Sequence, residues 1–239
     1  MLDNIADEGH TDVPAGVEFV DIVSGWKWSC GLDTDGIANC WGDEVTTSIV
    51  AKTPDDRFVK LGANVTTPCG IREDGTALCW GPDFEGETEP HAGVYIDIDG
   101  PTGMFCGMKP DHTIECWGWD EPAAPPVGVA FASFDMSSHA GCALSKDGRP
   151  TCWGDNSYGQ LDIPDEGIYT QIAMGGQHGC ALDRHGEAIC WGSNRFGQLD
   201  ALQGPFVQLG SGMRATCGIR RDGDVVCWGC VDDDYCDID

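Results

Sequence analysis

The sequence predicts an all-β protein built from six copies of one repeat, and three features support this. Each copy contains two cysteines ten positions apart, and Trp-Gly follows the second cysteine. A glycine stands six positions after the first cysteine in five of the six copies. A short run with strand-like alternation of apolar and polar residues precedes each pair. The pairs are Cys30/Cys40, Cys69/Cys79, Cys106/Cys116, Cys142/Cys152, Cys180/Cys190 and Cys217/Cys227.

The segment between the paired cysteines predicts a β-hairpin with a three-residue loop. Such a loop ends in a left-handed residue, a conformation that glycine adopts without steric cost. The third copy has His112 at this position, and histidine tolerates positive φ better than most residues. The glycines at this position are Gly36, Gly75, Gly148, Gly186 and Gly223.

The hairpin register predicts one disulfide per repeat. With Thr34-Asp35-Gly36 as the loop, Cys30 faces Cys40 in a non-hydrogen-bonded pair. Such pairs bring Cα atoms to roughly 4.5 Å, within the range of about 4.4–6.8 Å that a disulfide accepts. Reduced cysteines in a core are the alternative. Tetrahedral zinc fits less well, because its cysteine ligands normally stand closer in sequence.

The tryptophan after each second cysteine points to the opposite face of its strand from that cysteine. Because it recurs in every copy, we expect it to pack between neighbouring sheets. Six equivalent binding residues are the less economical interpretation.

The spacing of the repeats predicts a ring or solenoid of small sheets. Successive first cysteines are 39, 37, 36, 38 and 37 residues apart, and a period of this length with several short strands is typical of propellers and solenoids. The runs that open the copies are residues 18–22, 57–61, 94–98, 130–134, 168–172 and 205–209.

Composition and charge restrict the classes of partner. The chain has 239 residues, 34 glycines and a formal charge of −27, from 40 acidic and 13 basic residues. This charge repels nucleic acid and anionic membrane and favours basic partners. The sequence contains no apolar run of about eighteen residues that would span a membrane.

The cysteine content predicts an extracellular or cell-surface location. Fourteen cysteines, twelve of them in regular pairs, indicate an oxidising compartment. The start, Met1-Leu2-Asp3-Asn4, lacks the basic and apolar regions of a signal peptide. We therefore expect that a signal has been removed or that this chain is part of a larger one.

Two copies continue beyond Trp-Gly with a further motif, at residues 155–161 and 193–199. The pattern Trp-Gly-x-Asn-x-x-Gly-Gln-Leu after a Cys-Ala-Leu…Gly…Cys-Trp-Gly hairpin resembles the regulator of chromosome condensation repeat family, and most of all its cysteine-rich bacterial members. The resemblance implies a β-propeller of four-stranded blades. Family members commonly have seven blades, whereas this chain has six hairpins.

We therefore predict one six-bladed β-propeller domain over residues 1–239. Residues 9–14 match residues 159–164 in spacing, so N- and C-terminal segments are expected to complete one blade and close the ring. A seven-bladed ring and an open arc are the alternatives. Residues 230–239 form a C-terminal tail, in which Cys230 and Cys236 are expected to form a seventh disulfide and Asp232–Asp234 a solvated acidic run or, alternatively, a cation site.

The loops before the first cysteines are the predicted binding surface, because they vary between copies while the hairpins do not. Aromatic residues and arginine dominate interface hot spots. One of the first two tryptophans could instead plug the central channel. Two histidines without a third ligand do not predict a metal site. The predicted binding residues are Trp26, Lys27, Trp28, Met104, Phe105, His139, His178, Met213 and Arg214.

The predicted function is a secreted or cell-surface protein-interaction module: an inhibitor, an adhesin or a subunit of an extracellular assembly. No catalytic motif or unpaired cysteine indicates an enzyme or a cofactor. The family's founder is a nucleotide exchange factor at chromatin, a role that paired cysteines and acidic charge do not favour. The partner is expected to be another, possibly basic, protein. The alternatives are a glycan stacked on Trp26, Trp28 and Phe105, and a building block of a filament or coat.

Overall fold

A computed structural model describes residues 13–25, 28–42, 49, 52–83, 86, 88, 91–100, 103–118, 124–164 and 167–229. These residues form eighteen β-strands in six antiparallel sheets of three strands each. The chain divides into two compact units, residues 1–120 and 121–239, with three sheets in each. The all-β fold of six repeated sheets, which we call blades, is as predicted.

The first unit contains blades 1 to 3, in which sequential strands pair with one another. Their strands are β1 (Phe19–Gly25), β2 (Trp28–Asp33) and β3 (Ala38–Gly42); β4 (Phe58–Ala63), β5 (Pro68–Arg72) and β6 (Ala77–Cys79); β7 (Asp97–Asp99), β8 (Met104–Met108) and β9 (Ile114–Gly118).

The second unit contains blades 4 to 6 with the same strand order. Their strands are β10 (Ser133–Met136), β11 (Ala140–Leu144) and β12 (Pro150–Gly154); β13 (Tyr169–Met174), β14 (His178–Asp183) and β15 (Ala188–Gly192); β16 (Phe206–Ser211), β17 (Ala215–Arg220) and β18 (Val225–Gly229).

The predicted hairpin register is confirmed in every blade. Cys30 pairs directly with Cys40, and the other five cysteine pairs are in the same register. His112 has a φ of 67°, so it takes the left-handed position that glycine occupies in the other five loops. The loop geometry therefore fixes which residues face each other, as the spacing predicted.

The six predicted disulfides are confirmed as well. Their Cα atoms are 4.0–4.1 Å apart, somewhat closer than the distance expected from the register. No cysteine in the described part of the chain is free, so the alternative of reduced cysteines does not hold there. The bonds are Cys30/Cys40, Cys69/Cys79, Cys106/Cys116, Cys142/Cys152, Cys180/Cys190 and Cys217/Cys227.

The two cysteines of a disulfide differ in burial, which the register did not predict. In blades 1 to 5 the first cysteine is 0% exposed, because it lies on the central strand of its sheet. The second cysteine lies on the outer strand, which has a neighbouring strand on one side alone, so it is not a core residue. The second cysteines that are half-buried instead of buried are Cys40, Cys79, Cys116, Cys152 and Cys190.

Each described sheet has three strands, whereas the prediction was four. The segments after Trp-Gly in blades 4 and 5 form turns instead of a fourth strand. In blade 4, the Asn156 Oδ1 accepts a hydrogen bond from the Leu161 N–H at 2.9 Å, and the Gln160 Oε1 accepts one from the Tyr158 N–H at 2.9 Å. Asn194 and Gln198 make the same contacts in blade 5. These side chains occupy backbone donors that a strand would have offered to its neighbour.

The alternation along each hairpin gives every blade two different apolar faces. We call the side that carries the disulfide the cysteine face, and the side that carries the tryptophan and the first aromatic residue of the blade the aromatic face. Inside each unit, the cysteine face of one blade packs against the aromatic face of the next. Cys30 and Leu32 thus pack against Phe58, Leu61 and Trp80. The corresponding packing occurs between blades 2 and 3, 4 and 5, and 5 and 6. The tryptophan is therefore a packing residue, as predicted.

Polar side chains on the first strands fix how neighbouring blades align. The Gln171 amide of β13 donates to the Leu209 carbonyl at 2.8 Å and accepts from the Leu209 N–H at 2.8 Å. In the first unit, the Asp21 Oδ2 accepts from the Leu61 N–H at 3.2 Å. Because each bond joins two blades, it also positions the turns at the ends of those strands.

Several predictions concern residues beyond the described parts of the chain. Residues 9–12, the pair Cys230/Cys236 and Asp232–Asp234 lie outside the described residues, so ring closure, the seventh disulfide and the tail cation site stay predictions. The single domain over residues 1–239 also stays a prediction. In the described part of the chain, no helix is long and apolar enough to cross a membrane.

Candidate functional site

In the second unit, the first and second strands of each blade are joined by tight turns with two central residues. The residue before each turn donates its N–H to the carbonyl of the residue after it. These bonds are 2.7 Å from Ser137 to Ala140, 2.8 Å from Gly175 to His178 and 2.9 Å from Gly212 to Ala215. The turns therefore present Ser138-His139, Gly176-Gln177 and Met213-Arg214 at one end of the three sheets.

The Asn-x-x-Gly-Gln-Leu segments pack beside these turns. The Asp155 N–H donates to the His139 carbonyl at 2.8 Å, and the Ser193 N–H donates to the Gln177 carbonyl at 2.9 Å. The Gly176 N–H reaches the Gly212 carbonyl of the next blade at 3.4 Å. We call this continuous surface the turn face; it consists of the three turns together with residues 155–162 and 193–200.

An arginine pair and a phenylalanine give the turn face a chemistry that differs from the acidic chain as a whole. The Arg214 Cζ lies 4.8 Å from the centroid of the Phe196 ring, and the Arg195 Cζ lies 5.5 Å from it. These distances are those of cation–π contacts. Met213 beside them is 67% exposed, and Tyr158 is 52% exposed. Apolar, aromatic and cationic side chains thus meet on a backbone fixed by hydrogen bonds.

The structure divides the predicted binding residues into three groups. His139, Met213 and Arg214 lie at the turns, where His139 and Met213 are exposed and Arg214 is half-buried. Trp26 and Lys27 lie outside the described residues. The remaining four are strand residues, and their side chains are buried: Trp28, Met104, Phe105 and His178.

The prediction that these four buried residues contact a partner is wrong, because each second strand begins earlier than expected. Trp28 belongs to β2 and packs with Cys30 and Leu32, and its Nε1 donates to the Val65 carbonyl at 3.2 Å. Phe105 is fully buried in the core between blades 2 and 3. Neither ring can offer its face to a sugar.

His178 is a structural residue at the start of β14. Its Nε2 lies 2.8 Å from the Thr216 Oγ1 of blade 6, and that hydroxyl lies 2.9 Å from the Ser211 Oγ. Burial lowers the pKa of His178 to about 4, so the imidazole is neutral at pH 7. His139, in contrast, is exposed at its turn. Among the described residues, no three His, Cys, Asp or Glu side chains are arranged to hold a metal ion.

The half-buried second cysteines do not add a reactive group to any site. Cys116, Cys152 and Cys190 are each bonded to the first cysteine of their own blade, so none of them carries a thiol. A thiolate is the form of cysteine that attacks a substrate or binds a metal. These residues are therefore structural, and their partial exposure reflects their place on the outer strand.

A second polar cluster surrounds Glu115 in blade 3. Lys109 and His91 form ion pairs with its carboxylate, and the Tyr95 hydroxyl lies 3.5 Å from it. The hydrogen bond from Lys109 is the main cause that lowers the pKa of Glu115. The His91 ring stacks on Trp117 with centroids 4.7 Å apart. Because these groups satisfy one another, the cluster stabilises blade 3 and offers little to a ligand.

The sequence-based site missed Arg195, Phe196 and Tyr158. All three occupy the variable positions between the Asn and the Gly of the Asn-x-x-Gly-Gln-Leu motif. Variation inside an otherwise constant turn was the signal that could have identified them.

Two segments of the chain, residues 131–160 and 169–198, match the regulator of chromosome condensation (RCC1) repeat. No curated protein sequence matches the chain. Among solved structures, the chain is similar to the CRINKLY WD40 ectodomain of the receptor kinase ACR4 from Arabidopsis thaliana, with 24% identity and a TM-score of 0.76 over 90% of this chain and 81% of that one.

Two further solved structures share the fold. The ectodomain of the receptor kinase CR4 from Physcomitrella patens is 24% identical, with a TM-score of 0.81 over 94% of this chain and 65% of that one. This chain thus spans about two thirds of the moss ectodomain. Yeast RCC1 (Prp20), solved bound to Kap60, is 13% identical, with a TM-score of 0.70 over 88% of this chain and 70% of that one.

At these identities the similarity shows the fold, which is a β-propeller. The matched segments cover the hairpins and the Asn-x-x-Gly-Gln-Leu turns of blades 4 and 5. The chain is a β-propeller protein of the regulator of chromosome condensation (RCC1) repeat family.

Proposed function

We propose that this protein is an extracellular or cell-surface protein-interaction module that binds a partner protein through the turn face of its second unit. The observation that carries the proposal is the exposure of Met213, 67%, on a rigid turn next to the Arg195, Phe196 and Arg214 cluster. Interface hot spots combine apolar anchors with aromatic residues and arginine on a surface that is already ordered.

The covalent chemistry supports the extracellular part of the proposal. Six disulfides join strands in the described residues, and structural disulfides persist in oxidising compartments. Two of the similar structures are receptor-kinase ectodomains, and a third is a propeller bound to another protein. These similarities support a binding role by analogy of fold.

The turn face favours a protein over a glycan as the partner. Two of the three side chains predicted to stack on sugar, Trp28 and Phe105, are buried in the core. The proposal involves binding without catalysis and without a cofactor. The overall charge of −27 attracts a partner with a basic surface, while the two arginines accept a carboxylate or an aromatic group at its centre.

Site-specific photo-crosslinking tests the proposal. A benzophenone side chain at position 213 should crosslink one defined protein from the extracellular fraction of the source organism. The purified partner should then bind the wild-type chain, and Met213→Glu should weaken that binding at least about tenfold, because it places an acid at the centre of the contact.

Arg149→Glu is the matched control, since Arg149 is an exposed residue outside the turn face and the variant also loses a positive charge. Its affinity should remain within about twofold of wild type. Equal losses in both variants would show a general charge effect. No loss in Met213→Glu would place the binding surface elsewhere.

A further inference from the structure

The inference concerns the two blades at the ends of the repeat array. Inside the two units, the cysteine face of one blade packs against the aromatic face of the next blade in four interfaces. The described residues contain no blade before blade 1 and none after blade 6. The aromatic face of blade 1 and the cysteine face of blade 6 are therefore the two complementary halves of this same interface.

The aromatic face of blade 1 exposes apolar surface that other blades bury. Ile22 pairs with Gly31 in its sheet, the position held by Leu61, Ile98, Ile172 and Leu209 in blades 2, 3, 5 and 6. These four residues are at most 6% exposed, whereas Ile22 is 58% exposed. Phe19 is half-buried, while Phe58 and Phe206 at the same position are buried.

The cysteine face of blade 6 shows the same difference. The first cysteine is 0% exposed in blades 1 to 5, whereas Cys217 is half-buried and its partner Cys227 is exposed. Ile219 is half-buried, although Leu32, Ile71 and Leu182 at its position are buried. Val225 is 60% exposed, and its counterpart Ala38 in blade 1 is 4% exposed.

Terminal units of stable repeat arrays normally carry a polar outer face, because that face meets water. Here both terminal faces keep the apolar residues of an inner interface. We infer that these faces dock head to tail, so that the cysteine face of blade 6 in one molecule packs on the aromatic face of blade 1 in a second copy of this chain. The occupant is a second copy because the chain itself carries the complement of each face.

The geometry of this contact makes a specific prediction about stoichiometry. The two surfaces differ, so the contact is heterologous, and each molecule that joins leaves one face of each kind open. The acidic charge of the chains opposes association, so added salt should strengthen it by screening while the apolar contact persists. A contact made mainly of ion pairs would weaken instead.

Sedimentation velocity from roughly 1 to 100 µM, which brackets a micromolar Kd, tests the inference on the whole chain. Wild-type protein should form oligomers whose mass rises beyond a dimer with concentration. Ile22→Asp blocks one face and Val225→Asp the other, so each variant alone should be a monomer. A mixture of the two variants should form a one-to-one dimer and nothing larger.

Val59→Asp is the matched control. Val59 is 58% exposed and lies at the bulge of β4, away from both terminal faces, so this variant should associate like wild type. The mass of the six disulfides and the circular dichroism spectrum verify that each variant is folded. A wild-type monomer at every concentration would overturn the inference, and so would self-association of either blocked variant.

Discussion

His178 illustrates how one buried side chain couples stability to pH. Its pKa is lowered by burial from 6.5 to about 4, so between these values the unfolded chain binds more protons than the folded one. Its contribution to stability is therefore complete above about pH 6.5 and declines as the pH falls toward 4. The loss at pH 5 relative to pH 8 is roughly 2 kcal/mol.

The prediction is that His178→Gln reduces the pH dependence of the free energy of unfolding between pH 8 and 5 by this amount. Urea denaturation at each pH measures it. His139→Gln is the control, because His139 is exposed at its turn and the variant should keep the wild-type slope. Identical slopes for wild type and His178→Gln would contradict the assignment of a buried neutral imidazole.

The residue scale is also where sequence-based prediction of the site was weakest. Trp28 and Phe105 have the composition of a binding residue, and spacing alone does not tell whether a residue precedes a strand or begins it. The strand starts one position after the two-residue turn, and alternation then turns both side chains into the core. Only the hydrogen bonds of the turn determine that boundary.

At the scale of the hairpin, the loop glycines have two separable functions. Gly186 and Gly223 both have positive φ, at 84° and 92°. A Cβ on Gly186 would lie 2.6 Å from the Phe206 carbonyl oxygen of the next blade, while a Cβ on Gly223 would meet nothing within 4 Å. The Phe206 N–H also donates to the Gly186 carbonyl at 2.7 Å. The Gly186 loop is thus part of a contact between blades.

We therefore expect Gly186→Ala to destabilise the protein more than Gly223→Ala. Both variants carry the left-handed backbone strain of about 1–2 kcal/mol, and only the first also displaces a backbone carbonyl. Thermal unfolding of the two variants measures the difference directly. Equal losses would show that backbone strain accounts for the whole effect and that the neighbouring blade yields without cost.

The elements after Trp-Gly show why the number of strands per blade did not follow from the repeat. The resemblance implied four strands, but Asn156 and Gln160 satisfy the local backbone with their side chains and close a turn. The same residues position the turn face beside the His139 loop. Local side-chain hydrogen bonds therefore took precedence over strand pairing.

At the scale of the whole molecule, cross-strand disulfides are the most uniform stabilising feature. Each closes a short loop, for which chain-entropy reasoning gives about 3 kcal/mol. We predict that alkylation of the unreduced, denatured protein modifies at most two of the fourteen cysteines, Cys230 and Cys236 being the two outside the described hairpins. Intact mass spectrometry gives the count.

Reduction before alkylation is the control and should modify all fourteen cysteines. Reduced protein should also unfold at a lower temperature than the oxidised form, because the unfolded chain regains the entropy of six loops. If alkylation without reduction modified more than two cysteines, the pairing would be incomplete in solution and the argument for an oxidising compartment would weaken.

The sequence by itself determined the repeat, the hairpin register, the six disulfides and the packing role of the tryptophan. All four follow from interactions within about a dozen residues, where a loop glycine and a two-residue period leave one arrangement. The position of His112 at positive φ followed in the same way.

Only the tertiary structure decided which side chains are accessible. Burial of Met104 and His178 depends on the neighbouring blade, and the exposure of Ile22 and Val225 depends on the lack of a covering sheet among the described residues. The Arg195, Phe196 and Arg214 cluster likewise joins residues from two blades. Contacts between repeats carry no local signal in the sequence, because every repeat encodes the same two faces whether or not a partner covers them.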